Sequence, residues 1–162
     1  TFEDVIHEVW ERLDARMDKD QDLRACPTGF ADFDNMTGGL HEGELIILAA
    51  RPSMGKTAFA TNIAEQVAMG AGLPVLFVSL EMSRLELGER MLASYSRVDS
   101  HKMRQGRLTP QDQAKLRDKG GELSNGPLFV DDSPSRNMTE IAATARRLKR
   151  NDRPIAPNKH RI

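Results

Sequence analysis

The sequence predicts an α/β fold with a mainly parallel β-sheet, and three observations support this prediction. Short apolar runs have the length of buried parallel strands at 45–50, 75–80 and 127–131. Helical periodicity follows these runs at 58–69, 83–96, 109–123 and 138–150. A loop containing Gly-Lys-Thr joins the first apolar run to the first of these helices. Strands that alternate with helices are typical of parallel sheets.

Composition is that of an ordinary globular protein and excludes several classes. The 162 residues suffice for one domain with a core, and a net charge of −1 gives no overall attraction to nucleic acid. The sequence shows no apolar run of membrane-spanning length and no signal-peptide pattern, so we expect a cytoplasmic protein without a membrane partner. Cys26 is the only cysteine, which excludes an internal disulfide and a cysteine metal site.

Residues 1–17 predict an amphipathic helix. Its apolar face consists of Phe2, Val5, Ile6, Val9, Trp10, Leu13 and Met17. Thr1 and Asp4 resemble a capping box at its start. The apolar face requires cover, either from its own domain or from a neighbouring subunit, and periodicity does not decide between them. Residues 18–24 are polar and predict a linker, so 1–24 form one region.

Residues 50–57, Ala-Arg-Pro-Ser-Met-Gly-Lys-Thr, predict a phosphate-binding P-loop because an apolar run precedes them and a helix follows. Backbone N–H groups and the helix dipole favour an anion there. We expect the nucleotide to contact Arg51, Pro52, Ser53, Met54, Gly55, Lys56, Thr57 and Ala58. Lys56 would contact the outer phosphates, and the Thr57 hydroxyl would bind Mg²⁺. The alternative is an ordinary helix N-terminus; Ala50 also replaces the usual first glycine.

Acidic residues end the second and third predicted strands. In parallel sheets, ligands bind at the carboxyl ends of the strands, so Glu81 is a candidate base that activates water. The alternative role for Glu81 is that of an acid at the start of the next helix. Asp131 and Asp132 end an apolar run, as in a Walker B strand that helps hold Mg²⁺, but apolar strands ending in Asp are common.

Other segments are defined by turns and charge. Residues 25–44 are rich in glycine turns, with room for a short helical turn around Phe30, Phe33 and Met36. Residues 97–108 are basic and irregular, and Thr109 predicts the start of the next helix. The basic, proline-containing segment 151–162 predicts a disordered tail; we favour a solvated end over a nucleic-acid contact.

Taken together, these residues resemble the bacterial replicative DNA helicase of the hexameric DnaB type, which has a RecA-like motor domain. The matching segments occur in family order at 27–30 with Asp32 and Asp34, 49–58, 79–83, 106–109, 131–135 and 146–149. The resemblance covers about residues 1–150, and Ala50 is typical of this family.

The resemblance implies a site and an assembly. Lys56 and Thr57 match the family's phosphate and Mg²⁺ residues, and Glu81 matches its catalytic glutamate, so ATP and Mg²⁺ are the expected cofactors. Arg90 matches an arginine near the nucleotide. Residues 1–17 match the linker helix that docks on the adjacent subunit of a homo-hexameric ring. Single-stranded DNA, primase and a helicase loader are the family's further partners. We expect this sequence to lack the family's N-terminal domain, which interacts with primase.

The resemblance ends near Arg150, so we expect an incomplete RecA-like core at 25–150 and a non-homologous tail at 151–162. The family's Walker B strand follows the helix of Arg146–Lys149, where Pro154 and Pro157 exclude a central strand. Asp131 and Asp132 belong to an earlier strand in the family. The DNA-binding loops and arginine finger would also be missing, so we expect no unwinding by this chain alone. Unpaired strand edges predict marginal stability or aggregation.

Two alternatives to a helicase motor stay open. The chain could be a nucleotide-binding or assembly module that docks on intact helicase subunits. It could also be another RecA-like ATPase, of the recombination or clock-protein kind, since the P-loop is common to these proteins. The segments 79–83 and 131–134 favour the helicase.

Overall fold

The computed structural model describes residues 1–17, 25–134 and 136–150. The chain divides after Ile47 into two compact units, which we treat separately. The predicted linker at 18–24 and the predicted tail at 151–162 lie outside the described residues. None of the helices in the described ranges is long and apolar enough to cross a membrane.

The first unit begins with the predicted amphipathic helix, α1 (Phe2–Met17). The Thr1 hydroxyl donates to the Asp4 carboxylate over 2.8 Å, and the terminal amino group also contacts that carboxylate. The apolar face is exposed along its length at Phe2, Val5, Ile6, Val9, Trp10 and Leu13. The helix therefore presents an uncovered apolar stripe.

The rest of the first unit is more regular than its turn-rich sequence predicts. Strands β1 (Ala25–Cys26) and β2 (Leu40–His41) pair antiparallel, and α2 (Ala31–Thr37) lies between them. Asp34 on α2 connects this helix to the segment after β1. Its carboxylate accepts one hydrogen bond from the Thr28 hydroxyl at 2.6 Å and another from the Thr28 backbone N–H at 3.0 Å. These hydrogen bonds hold the pKa of the Asp34 carboxyl below its usual value.

The second unit contains the remaining helices. Helix α3 (Lys56–Glu65) continues into a π-helical turn, and α4 (Arg84–Ser96), α6 (Pro110–Asn125) and α7 (Met138–Arg150) follow the predicted pattern. The start predicted at Thr109 is confirmed by a complete capping box with Asp112. A short helix, α5 (Ser100–Gln105), occupies the segment predicted to be irregular, with Asp99 as its N-cap.

A small parallel sheet forms the centre of the second unit. Strands β3 (Val75–Val78) and β4 (Leu128–Asp131) pair in parallel, so that Val75 lies opposite Leu128 and Val78 opposite Asp131. Parallel pairing places the carboxyl ends of both strands at one edge. This confirms the second and third predicted strands.

The predicted first strand at 45–50 is wrong. These residues have no regular secondary structure, and Leu45 and Ile47 are 86% and 81% exposed. An apolar run becomes a strand only when a neighbouring strand accepts its backbone hydrogen bonds. Among the described residues, β3 and β4 pair with each other, and β1 pairs with β2. The run at 45–50 therefore has no strand partner within the part of the chain that the structure describes.

Packing in the second unit is centred on α4, which contacts both α3 and α6. The buried cluster consists of Ala64, Ala68, Met91, Leu123 and Leu128. Leu87, one helical turn before Met91, is fully buried as well. Helix α4 is thus the element on which the second unit depends.

Replacing Leu87 by alanine tests this role of α4. We expect a loss of about 2–5 kcal/mol in the free energy of unfolding, because the deleted side chain leaves a cavity in a buried position. Leu85→Ala on the same helix is the matched control, since Leu85 is exposed and its loss should cost within about 0.5 kcal/mol. Urea unfolding measures both variants; equal effects would contradict the assignment of the core.

A partly buried carboxyl group lies at the end of α3. The Glu65 Oε2 atom is buried without a hydrogen-bond partner. Burial raises the pKa of this carboxyl, against the opposing effects of the Ser94 hydroxyl and the Arg97 charge. A raised pKa in the folded state means that protonation of Glu65 stabilises the fold at acid pH. This contribution is complete below the ordinary pKa of 4.5 and is lost as the pH rises through the folded pKa.

Glu65→Gln should therefore raise the melting temperature at pH 8, because it removes a carboxylate that burial disfavours. The gain should shrink towards zero at pH 4, where Glu65 is protonated in both states. Thermal melts across this range measure the effect, with Glu89→Gln as the exposed control. A gain that is independent of pH would rule out the titration of Glu65 as its cause.

Candidate nucleotide-binding site

The P-loop forms a compact turn before α3. The Met54 N–H donates to the Arg51 carbonyl over 3.3 Å. Ser53 and Gly55 both have left-handed backbone conformations, with φ of 64° and 86°. This conformation is unfavourable for a serine and natural for a glycine. A left-handed residue followed by a helical one turns successive N–H groups towards the same side, as in anion-binding nests.

The first turn of α3 has backbone N–H groups that no side chain caps. Gly55 is the N-cap and no side chain caps the helix. The Phe59 N–H donates to the Gly55 carbonyl over 2.9 Å, so the N–H groups of Lys56, Thr57 and Ala58 precede this helical hydrogen bond. A Cβ atom built at Gly55 meets nothing within 4 Å, which leaves open space beside these donors. The helix dipole favours negative charge at this position.

Three of the predicted site residues line one cleft. This P-loop cleft, of about 390 Å³, is lined by Leu48, Lys56, Thr57, Ala60, Phe77, Val78, Ser79, Leu80, Glu81 and Met82. Lys56 and Thr57 come from the start of α3, and Glu81 follows the end of β3. The structure thus brings Lys56, Thr57 and Glu81 together. The predicted contact residues Arg51, Pro52, Ser53 and Met54 are exposed on the loop beside the cleft, and Ala58 is exposed on the first helical turn.

The turn that carries Glu81 is organised by Ser79, which the sequence did not single out. Ser79 is buried, and its N–H donates to the Asp131 carbonyl over 2.9 Å. Its hydroxyl donates to the Met82 carbonyl at 2.7 Å and accepts from the Met82 N–H at 3.1 Å. Ser83, the residue after this turn, forms a capping box with Glu86. The sequence Ser-x-x-Glu at this position was the available signal for that helix start.

The two aspartates at the end of β4 make structural contacts. Asp131 pairs with Arg136 at 3.0 Å and accepts from the Ser133 N–H at 3.1 Å. Asp132 accepts from the Arg84 N–H at 2.9 Å, across 48 residues of sequence. Neither aspartate is among the residues that line the P-loop cleft. These contacts favour the interpretation that Asp131 and Asp132 are not a Walker B pair.

Arg90 lies away from the P-loop cleft. It lines a second cleft, of about 370 Å³, together with Met82, Glu86, Glu89, Ser100, Met103 and Arg104. This cleft lies mainly between α4 and α5. Within the second unit, the structure therefore places Arg90 apart from Lys56, although Met82 contributes to both clefts.

Comparison with known proteins identifies related chains. The family model described as the DnaB-like helicase C-terminal domain matches residues 25–156. The chain is 41% identical over 148 residues to the replicative DNA helicase DnaB of Geobacillus stearothermophilus, a match that covers 91% of this chain and 33% of the relative. It is 40% identical, with the same coverage, to the replicative DNA helicase DnaC of Bacillus subtilis. The chain thus spans about a third of the length of these relatives.

Solved structures show the same relationship in three dimensions. One solved ATPase domain superimposes with a TM-score of 0.83 and 28% identity, over 94% of this chain and 53% of that one. A DnaB-like replicative helicase, solved in a study of its interactions with primase, superimposes with a TM-score of 0.81 and 28% identity. That match covers 94% of this chain and 36% of the helicase chain.

Proposed function

Because the chain belongs to the DnaB-like helicase C-terminal domain family, we propose that it is the ATP-binding part of a replicative DNA helicase. In the longer protein, ATP hydrolysis would drive movement along single-stranded DNA and so unwind the duplex. The observation that carries this proposal is the cleft shared by Lys56, Thr57 and Glu81. Membership of the family confirms the resemblance predicted from the sequence.

The residues of the P-loop cleft fit ATP and Mg²⁺. The start of α3 offers backbone donors and open space for phosphate oxygens. The Thr57 hydroxyl is the type of hard oxygen ligand that Mg²⁺ accepts beside phosphates. When bound, Mg²⁺ neutralises part of the negative charge of the phosphates. Thr57 would hold the ion from its place beside Lys56, and Arg51–Met54 would flank the nucleotide on the loop.

Two side chains would act on the reaction itself. Lys56 would place its ammonium against the outer phosphates and stabilise the charge that develops during transfer. Glu81 would orient a water molecule and accept its proton. Glu81 is exposed at the cleft, so water reaches it directly.

ATP binding by the chain tests the proposal without requiring the complete helicase. We expect saturable binding of a fluorescent ATP analogue, competition by unlabelled ATP, and weaker binding when EDTA removes Mg²⁺. An analogue that fails to bind at millimolar concentration would refute the proposed site. A signal that ATP cannot displace would show that the dye, and not the nucleotide, is bound.

The proposed partners follow from the relatives. Two relatives are replicative DNA helicases, and one of the similar structures concerns interactions with primase. We propose that the longer protein forms a hexameric ring in the cytoplasm and encircles single-stranded DNA. We also propose that it binds primase and a helicase loader. The exposed apolar stripe of α1 supports assembly, since such a stripe needs a covering surface.

A role as an assembly module is the second candidate, and the same stripe on α1 favours it. In this case the chain would dock on intact helicase subunits through Phe2, Trp10 and their neighbours. Mixing the chain with an intact family helicase and measuring mass in solution tests it. Mixed oligomers that disappear with Trp10→Ser would support docking, whereas separate species would exclude it.

A further inference from the structure

We propose that Asp132 is a positioning residue that holds the turn at 79–84, here called the Glu81 turn, at the P-loop cleft. The inference rests on the proposed function, because it takes Glu81 to be the residue that acts on water. Asp132 itself is not among the residues that line the P-loop cleft. Its contact is the hydrogen bond accepted from the Arg84 backbone N–H, at 2.9 Å.

The Glu81 turn is anchored at its two ends, both times to the end of β4. At the first end, the Ser79 N–H donates to the Asp131 carbonyl and continues the parallel ladder. At the second end, the Arg84 N–H donates to the Asp132 carboxylate. Glu81 lies between these anchors, so two consecutive residues at the end of β4 set where the turn begins and ends.

Packing contributes little to holding the exposed part of this turn. Glu81 is exposed, and Leu80 is 66% exposed. The hydrogen bonds of Ser79 and Asp132 therefore fix the position of the turn, which buried side chains do in the core. A carboxylate at the N-terminus of α4 is also favoured by the helix dipole.

Asp132 is separable from the local cap of α4. Ser83 and Glu86 satisfy each other's backbone N–H groups in the capping box and involve no residue of β4. Loss of Asp132 should thus leave the helix start intact and release only its connection to β4. The Asp131 carboxylate is engaged by Arg136 and Ser133, so it is not placed to substitute.

The test combines Asp132→Ala and Asp132→Asn in the full chain. Asparagine keeps a side-chain oxygen that accepts from Arg84, whereas alanine does not. NMR hydrogen exchange should show faster exchange for Asp132→Ala at the amides of Arg84 and its neighbours 81–83, and near-native rates for Asp132→Asn. Turnover of radiolabelled ATP should fall about 10²-fold in kcat for Asp132→Ala with KM unchanged, since small displacements of a reacting group have effects of this size.

Arg84→Pro removes the same hydrogen bond from the other side. Arg84 is the first residue of α4, where proline is tolerated, and Ser83 before it is extended with φ −67° and ψ 154°, as a residue before proline should be. If the hydrogen bond is the cause, Arg84→Pro should reproduce the loss in kcat, and adding Asp132→Ala to it should cause no further loss. This variant also decides the matter if Asp132→Ala does not fold.

The outcomes separate this inference from the proposed function. Unchanged exchange at 81–84 in Asp132→Ala would overturn it, as would faster exchange with native kcat. A fall in kcat that Asp132→Asn fails to restore would also overturn it. If the native chain binds ATP without turnover, the hydrolytic part of the proposed function fails in this chain, while the exchange rates still decide whether Asp132 holds the turn.

Discussion

Replacing Lys56 by alanine should weaken ATP binding by about 10- to 100-fold. Hydrogen bonds to charged groups contribute about 1.5–3 kcal/mol, and each 1.4 kcal/mol changes a dissociation constant about tenfold. Lys56 is the ammonium group that lines the P-loop cleft, beside the backbone donors of the α3 N-terminus. Titration with a fluorescent ATP analogue measures the change.

Lys115→Ala is the matched control for Lys56→Ala. Lys115 is exposed on α6 and does not line the P-loop cleft. Lys115→Ala removes one positive charge, as Lys56→Ala does, so any effect of net charge on ATP affinity appears in both variants. Equal losses of affinity would show that Lys56 acts only through net charge, and no loss in either would place the nucleotide elsewhere.

Replacing Glu81 by glutamine should abolish hydrolysis while ATP still binds. Glutamine preserves the shape of the side chain but cannot accept the proton of water, and general base catalysis contributes about 10²- to 10⁴-fold. We expect a fall of this size in kcat, with unchanged affinity because Lys56 and Thr57 are untouched. A suitable host is a chimera in which this chain replaces the matching third of the Geobacillus stearothermophilus helicase.

Glu89→Gln in the same chimera is the control for Glu81→Gln. Hydrolysis is measured in both variants as the release of inorganic phosphate from ATP. Glu89 lines the second cleft and not the P-loop cleft, so Glu89→Gln should leave this rate unchanged. If Glu81→Gln hydrolyses ATP at the parent rate, another group activates water. If it loses affinity as well, Glu81 holds the nucleotide and its role as a base is not supported.

The parts of the fold that depend on neighbouring residues could be predicted from the sequence. The helix start at Thr109 depends on a side chain three residues away, and it occurs as predicted. The α/β class and the parallel pairing of the later strands follow from alternating strand and helix patterns, and the similar ATPase domains confirm the class. Helix α5 was missed because its six residues are too few for a clear period.

The site could be predicted in part for the same reason. Lys56 and Thr57 belong to a short motif, and Glu81 follows a strand whose carboxyl end lies at the same sheet edge as that of β4. The hydrogen bond between Asp132 and Arg84 joins residues 48 positions apart, so no local sequence pattern predicts it. The run at 45–50 was predicted as a strand from its composition, but a strand also needs a partner, which composition cannot provide.

The unpaired run at 45–50 has a consequence for the behaviour of the chain in solution. Leu-Ile-Ile-Leu-Ala-Ala contains no charge and no proline, and the first four side chains are exposed. Uncharged six-residue segments with β-branched side chains are those that form steric zippers between identical molecules. Charged residues flank this run at both ends, Glu44 and Arg51, and charges at such positions generally oppose stacking. We therefore expect the resistance of the chain to aggregation to depend on the charges of Glu44 and Arg51.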